Sequence, residues 1–159
     1  MPCPQGMVMK YTQTVPCNNC PWRKETSCLL IPARVKELQK NMLSWGGGAF
    51  PCHKTVDYSN NSNGVETPNS VHCAGALIFA EKQGFANQMM RIAERLRLYD
   101  ARKLMTNNPA IDQVFDSPKE MLDYHTEKGK RDVVRKITKG RDATVGSNKT
   151  STRKRKNSK

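Results

Sequence analysis

Four cysteines, Cys17, Cys20, Cys52 and Cys73, are the residues whose type and spacing point most directly to chemistry. Cys17 and Cys20 form a C-x2-C pair; Cys52 follows after 31 intervening residues and Cys73 after 20 more. Thiolates are soft ligands, and two of them separated by a tight turn can face one ion together. Asn18, Asn19 and Pro21 supply that turn, because Asn tolerates left-handed backbone and Pro stops a strand from continuing. Cys52 and Cys73 lie beside His, Pro or Gly and outside apolar runs, so we read all four as metal ligands.

The same ligands suit zinc or an iron-sulfur cluster. A single knuckle, scattered partners and Pro directly after Cys20 place a [4Fe-4S] cluster narrowly ahead of zinc, with Trp22 and Phe50 available to shield it. Cys28 is a possible fifth thiol, and His53 and His72 could replace a ligand or stand behind one. Two other readings stay open. Cys52 and Cys73 could be buried thiols acting as small hydrophobes, or the C-x2-C pair could exchange disulfides, although no βαβ pattern accompanies it. Cys3, between two prolines, stays outside the site.

The elements that must position these residues are mostly helical. Pro32 at a first helical position and Val35, Leu38 and Met42 at helical spacing predict a short helix after the knuckle. Gly46, Gly47 and Gly48 break the chain before an extended segment carrying Cys52, and the Asn-, Ser- and Gly-rich residues 57–70 read as a loop. Helical pattern returns from His72 to about Met105, interrupted at Gly84, with Met89, Ile92, Ala93, Leu96 and Leu98 as the expected buried face. Ser117, Pro118 and Glu120 announce a last helix ending near Glu127.

At Cys17 to Arg23, Phe50 to Lys54 and Cys73 to Gly75 the sequence resembles a domain family of unknown function found in bacterial and phage genomes. That family carries a C-x2-C-Pro-Trp-Arg knuckle, a Phe-x-Cys-His-Lys segment and a Cys-Ala-Gly segment. The resemblance spans about residues 13 to 100 and implies cysteine ligation but no reaction. The small chain, rich in Asn, Lys and Met, also looks like a phage early protein.

With 36% hydrophobic and 6% aromatic residues and a mean hydropathy of -0.73, the chain offers a modest core that a metal would supplement. The expected architecture is a small α-rich or irregular α+β domain organised around a cysteine-ligated metal centre, with a disordered basic C-terminal tail. Its parts are an N-terminal segment (1–12), the metal-binding domain (13–105), a helical appendage (106–127) and the tail (128–159). The net charge of +13 sits mostly in that tail, which holds 13 Lys or Arg against 2 Asp, a surplus of +11.

Arg153, Lys154, Arg155 and Lys156 are the expected phosphate contacts, and Arg91, Arg95, Arg97, Arg102 and Lys103 are a secondary set on a helix. We therefore expect a non-enzymatic protein associating with DNA or RNA, as a phage regulator of transcription or DNA metabolism. An interaction module inhibiting a host protein is the alternative, and a metal- or thiol-dependent enzyme ranks behind it, since no general base and nucleophile converge. The start lacks signal-peptide regions and no apolar run spans a bilayer, so the expected location is the cytoplasm, that of the host if phage-encoded, where cysteines stay reduced.

Overall fold

The computed structural model describes residues 9–59, 64–129 and 131. Among these, α1 (Pro32–Met42), α2 (Ala74–Lys82), α3 (Gln88–Arg95) and α4 (Ala101–Met105) are followed by α5, from 118 to 129. Extended structure is limited to isolated bridges pairing Lys10 with Val71, Arg23 with Val114, Pro51 with His72 and Asp57 with Val65. The domain is helix-rich, and the β component of the irregular α+β alternative is absent among the described residues. Pro21 and Pro51 sit where a ladder would have to grow, and neither can donate to one.

Local sequence accounts for the helices. Pro32 opens α1, where its missing N–H costs nothing, and Val35, Leu38 and Met42 are the buried residues, as the spacing requires. α2 is apolar on every side over Ala74 to Ala80, and all of those residues are buried, so α2 runs through the core. Leu77, Ile78 and Phe79 pack there with Trp22, Met90, Phe115 and Met121; full burial of each such side chain contributes about 1.5–3 kcal/mol. Gly84, at φ +64, takes the left-handed conformation that ends this run. At α5, Ser117 Oγ accepts from the Glu120 amide (3.2 Å) while the Glu120 carboxylate accepts from the Asp116 amide (2.7 Å), a capping box displaced by one residue.

The face of α3 differs from the sequence expectation. Ala93 is buried together with Met90, whereas Met89, Ile92, Leu96 and Leu98 are 39–62% exposed. α3 carries two apolar stripes about 100° apart, and pinning at its N-terminus selects which one turns inward. Asn87 is fully buried, accepts from the Met90 amide (2.9 Å) and donates to the Gly48 carbonyl (3.3 Å), while the Gln88 amide bonds the Trp45 carbonyl (3.1 Å).

Residues 113–128 pack directly on the knuckle. The Lys24 amide donates to the Gln113 carbonyl (2.8 Å) and the Phe115 amide to the Trp22 carbonyl (3.1 Å). Tyr124 Oη and Lys128 Nζ both donate to the Thr26 carbonyl, at 3.1 and 3.0 Å. Asp116 receives Lys24 from the knuckle side and Lys82 Nζ, the latter at 2.5 Å, from the end of α2. Lys128 and 129 belong to α5; the rest of the expected basic tail apart from 131, including Arg153, Lys154, Arg155 and Lys156, lies outside the described residues, as does Cys3.

Candidate metal centre

Three segments bring the cysteines together. The knuckle closes through the Cys20 amide on the Cys17 carbonyl (3.0 Å) and the Arg23 amide on the Cys20 carbonyl (3.1 Å). The second segment turns after Cys52, where the Thr55 amide bonds the Cys52 carbonyl at 2.8 Å. The third is the start of α2, with Cys73 at the N-cap. The last two run side by side, since the Cys52 amide donates to the Val71 carbonyl and the Cys73 amide to the Phe50 carbonyl, both at 2.8 Å.

On this frame the sulfurs form one connected series. Cys20 Sγ lies 3.5 Å from Cys73 Sγ, Cys17 interacts with both Cys20 and Cys52, and ligand atoms of Cys17, Cys52 and His53 all lie within 4.8 Å of one another. No other set of three or more such groups among the described residues lies within that span, so the four sulfurs do not all fall inside it. Cys20, Cys52 and Cys73 are buried and Cys17 is half-buried. Each of the described cysteines is a free thiol.

A neighbouring backbone amide contributes to the electrostatics of each of these sulfurs. Asn19 serves Cys17, Trp22 serves Cys20, Lys54 serves Cys52, and Gly75 with Ala76 serves Cys73, each favouring the thiolate. No close side-chain cap forms at Cys73; the amides at the start of α2 act there as aligned dipoles that favour negative charge. Cys28, half-buried, has no such amide and is pushed up by desolvation and by the neighbouring Cys17.

The thiols share charge unevenly. Hydrogen bonding from Cys20 brings Cys17 down to about 5, with help from His53, and the same Cys20 lowers Cys73. Cys20 is raised in return by Cys17 and Cys73, and burial raises Cys52. A site in which neighbouring thiols share charge in this way is one that a soft cation could complete, since its charge would favour the thiolate at all four positions.

The histidines divide by role. His53 has both ring nitrogens 3.9 Å from Cys17 Sγ and stands with the ligand group. His72 is fully buried, its Nε2 accepts from the Phe50 amide (3.0 Å), and its Nδ1 therefore carries the proton and faces the Cys73 carbonyl at 3.4 Å. With both nitrogens engaged and Tyr11 stacked on it (5.1 Å), His72 fixes the two ligand-bearing segments without offering a ligand atom.

Two residues at the site take roles that the sequence did not assign to them. His125 on α5 donates from Nε2 to the Pro21 carbonyl (2.9 Å) and accepts at Nδ1 from the Leu30 amide (3.3 Å), bracing the knuckle directly behind Cys20. Gly75 leaves room for a sulfur: a Cβ there would meet Cys20 Sγ at 2.5 Å and Trp22 Cβ at 3.1 Å. His125 lies 104 residues from Pro21 and no local pattern links them; Gly75 sits inside the Cys-Ala-Gly segment, where its spacing after Cys73 was the only available hint. Trp22 and Phe50 meet edge to face at 5.8 Å, and Trp22 is fully buried, so the wall beside Cys20 is aromatic.

No curated protein and no solved structure matches the chain. Residues 12–141 match a described but functionally unassigned family, and the chain belongs to this family of unknown function, DUF6283.

Proposed function

We propose that Cys17, Cys20, Cys52 and Cys73 hold one metal ion that organises the fold, in a non-enzymatic protein that associates with nucleic acid. The observation carrying the metal reading is the connected series of four sulfurs drawn from three distant segments, each faced by a backbone amide. Buried thiols acting only as hydrophobes have no need of amide dipoles.

Zinc and the cubane that the sequence placed first both suit four cysteine thiolates, and the close Cys20–Cys73 pair speaks for zinc. Thiolates about 2.3 Å from a common tetrahedral centre are roughly 3.8 Å apart, close to the 3.5 Å between Cys20 and Cys73. A cubane spreads its four thiolates over the corners of a larger body. His53 would complete or replace a ligand on the exposed side. The metal would stabilise the fold, as in structural zinc domains whose modest cores depend on the ion.

The nucleic-acid reading rests on charge. A surplus of +13 on a chain of this size favours polyanions through counterion release.

Elemental analysis of protein purified anaerobically under reducing conditions tests the metal. One zinc per chain in a colourless solution is expected. A brown solution with iron and sulfide would reassign the site to a cluster, and metal-free protein that stays folded with chelator would remove the reading altogether. Retardation of DNA or RNA, weakening steeply with salt, tests the second part.

A further inference from the structure

We infer that Trp45 and the outer face of α3 form a stacking platform for single-stranded nucleic acid on the folded domain itself, an inference that rests on the nucleic-acid reading above. Trp45 is 60% exposed although the chain has only two tryptophans and buries the other completely. An exposed indole on a loose loop would mean little, but this one is mounted rigidly. Its carbonyl accepts the Gln88 amide at the start of α3 (3.1 Å), and the loop behind it is tied to the buried Asn87 through the Gly48 carbonyl (3.3 Å). Gly47 lets the loop fold tightly against the end of α1: a Cβ there would lie 1.8 Å from the Asn41 carbonyl oxygen.

The surroundings combine what a flexible polyanion with aromatic bases requires. Trp45, Ile92, Arg91, Arg95, Gln88 and Glu94 line one hollow of about 280 Å³. The Arg91 guanidinium sits 5.5 Å from the indole centroid, which leaves the opposite ring face for a base and puts a cation beside it for the adjoining phosphate. Met89, Ile92 and Leu96 form the outward stripe of α3 at i, i+3 and i+7. The hollow itself carries Arg91 and Arg95 against Glu94, and this positive balance beside an exposed indole favours a polyanion with aromatic bases over an apolar helix as the occupant. A rigid indole over an arginine reads a base face without reading its edges, so the platform takes unpaired strands of any sequence and rejects duplex, whose bases are already stacked.

The full chain, titrated with a mixed-sequence single strand of about 12 nucleotides as DNA and as RNA, provides the test. Tryptophan emission should be quenched, and the quenching should vanish in Trp45→Phe, where only the buried Trp22 reports. Trp45→Ala should weaken single-strand binding by about tenfold while leaving duplex binding unchanged. Arg91→Ala with Arg95→Ala should also weaken single-strand binding and flatten its salt dependence. Binding without quenching would overturn the platform and leave the nucleic-acid reading standing; no binding of either strand would overturn both. Equal quenching by polyglutamate would overturn the platform in favour of an acidic protein partner.

Discussion

The two sides of this domain treat their reactive and apolar groups in opposite ways. Around Cys20 and Cys73 everything is buried and over-determined: sulfurs 3.5 Å apart, amides on each, His72 and His125 using both ring nitrogens on backbone. Around Trp45 and α3 the backbone is equally fixed, yet the side chains Trp45, Ile92 and Leu96 are left in water. The difference teaches that rigidity and burial are separable here. One region is ordered and closed to water, and the other is ordered and open to it.

The largest break is expected at the thiols. Cys20→Ser or Cys73→Ser should abolish stoichiometric metal and cost at least about 5 kcal/mol, enough to unfold a domain of ordinary stability. Metal analysis with far-UV circular dichroism checks this, and a variant that keeps a wild-type unfolding transition would remove the centre from the fold's support. Gly75→Ala comes next, because its Cβ would press on Cys20 Sγ and Trp22 Cβ. Overpacking of this kind costs about 1–3 kcal/mol, and urea denaturation with an unchanged midpoint would show that the sulfur has room to move.

A smaller effect should follow pH through His125. Burial lowers its pKa below the ordinary 6.5, and its Nδ1 must stay unprotonated to accept the Leu30 amide. The unfolded chain therefore takes up this proton first: stability is fully present above pH 6.5 and declines as pH falls from there toward the folded value. Comparing acid-side denaturation of wild type and His125→Asn at fixed metal should show a shallower decline in the variant. Identical slopes would mean that the imidazole is solvated. Least of all, Leu96→Ser on the outer stripe should change stability by no more than about 0.5 kcal/mol, since that side chain is 62% exposed; a loss of several times that amount, by urea denaturation, would mean that the stripe is covered in solution.

Local signals carried much of this architecture. Pro32 and the Val35, Leu38, Met42 spacing marked α1, the unbroken apolar run marked α2, and Ser117 to Glu120 marked α5, because caps and periodicity act within a few residues. The C-x2-C turn was equally local. The orientation of α3 was not legible, since two apolar stripes satisfy the same periodicity and only the long-range tie of Asn87 to Gly48 chooses between them. His72 was legible as a residue that could replace a ligand or stand behind one, but only packing chooses the second; His125 has partners set wholly by packing, and Gly75 matters only once Cys20, 55 residues earlier, is opposite it.

The bond between His125 and Pro21 also orders events during synthesis. These residues lie 104 positions apart, and ribosomes add roughly 5–20 residues per second, so the knuckle leaves the tunnel roughly 5–20 s before the helix that will back it. Throughout that interval Cys17, Cys20, Cys52 and Cys73 emerge in turn while the brace behind Cys20 is missing. For the metal proposed above, this interval is the period in which the knuckle would be open to loading before the final helix docks behind it.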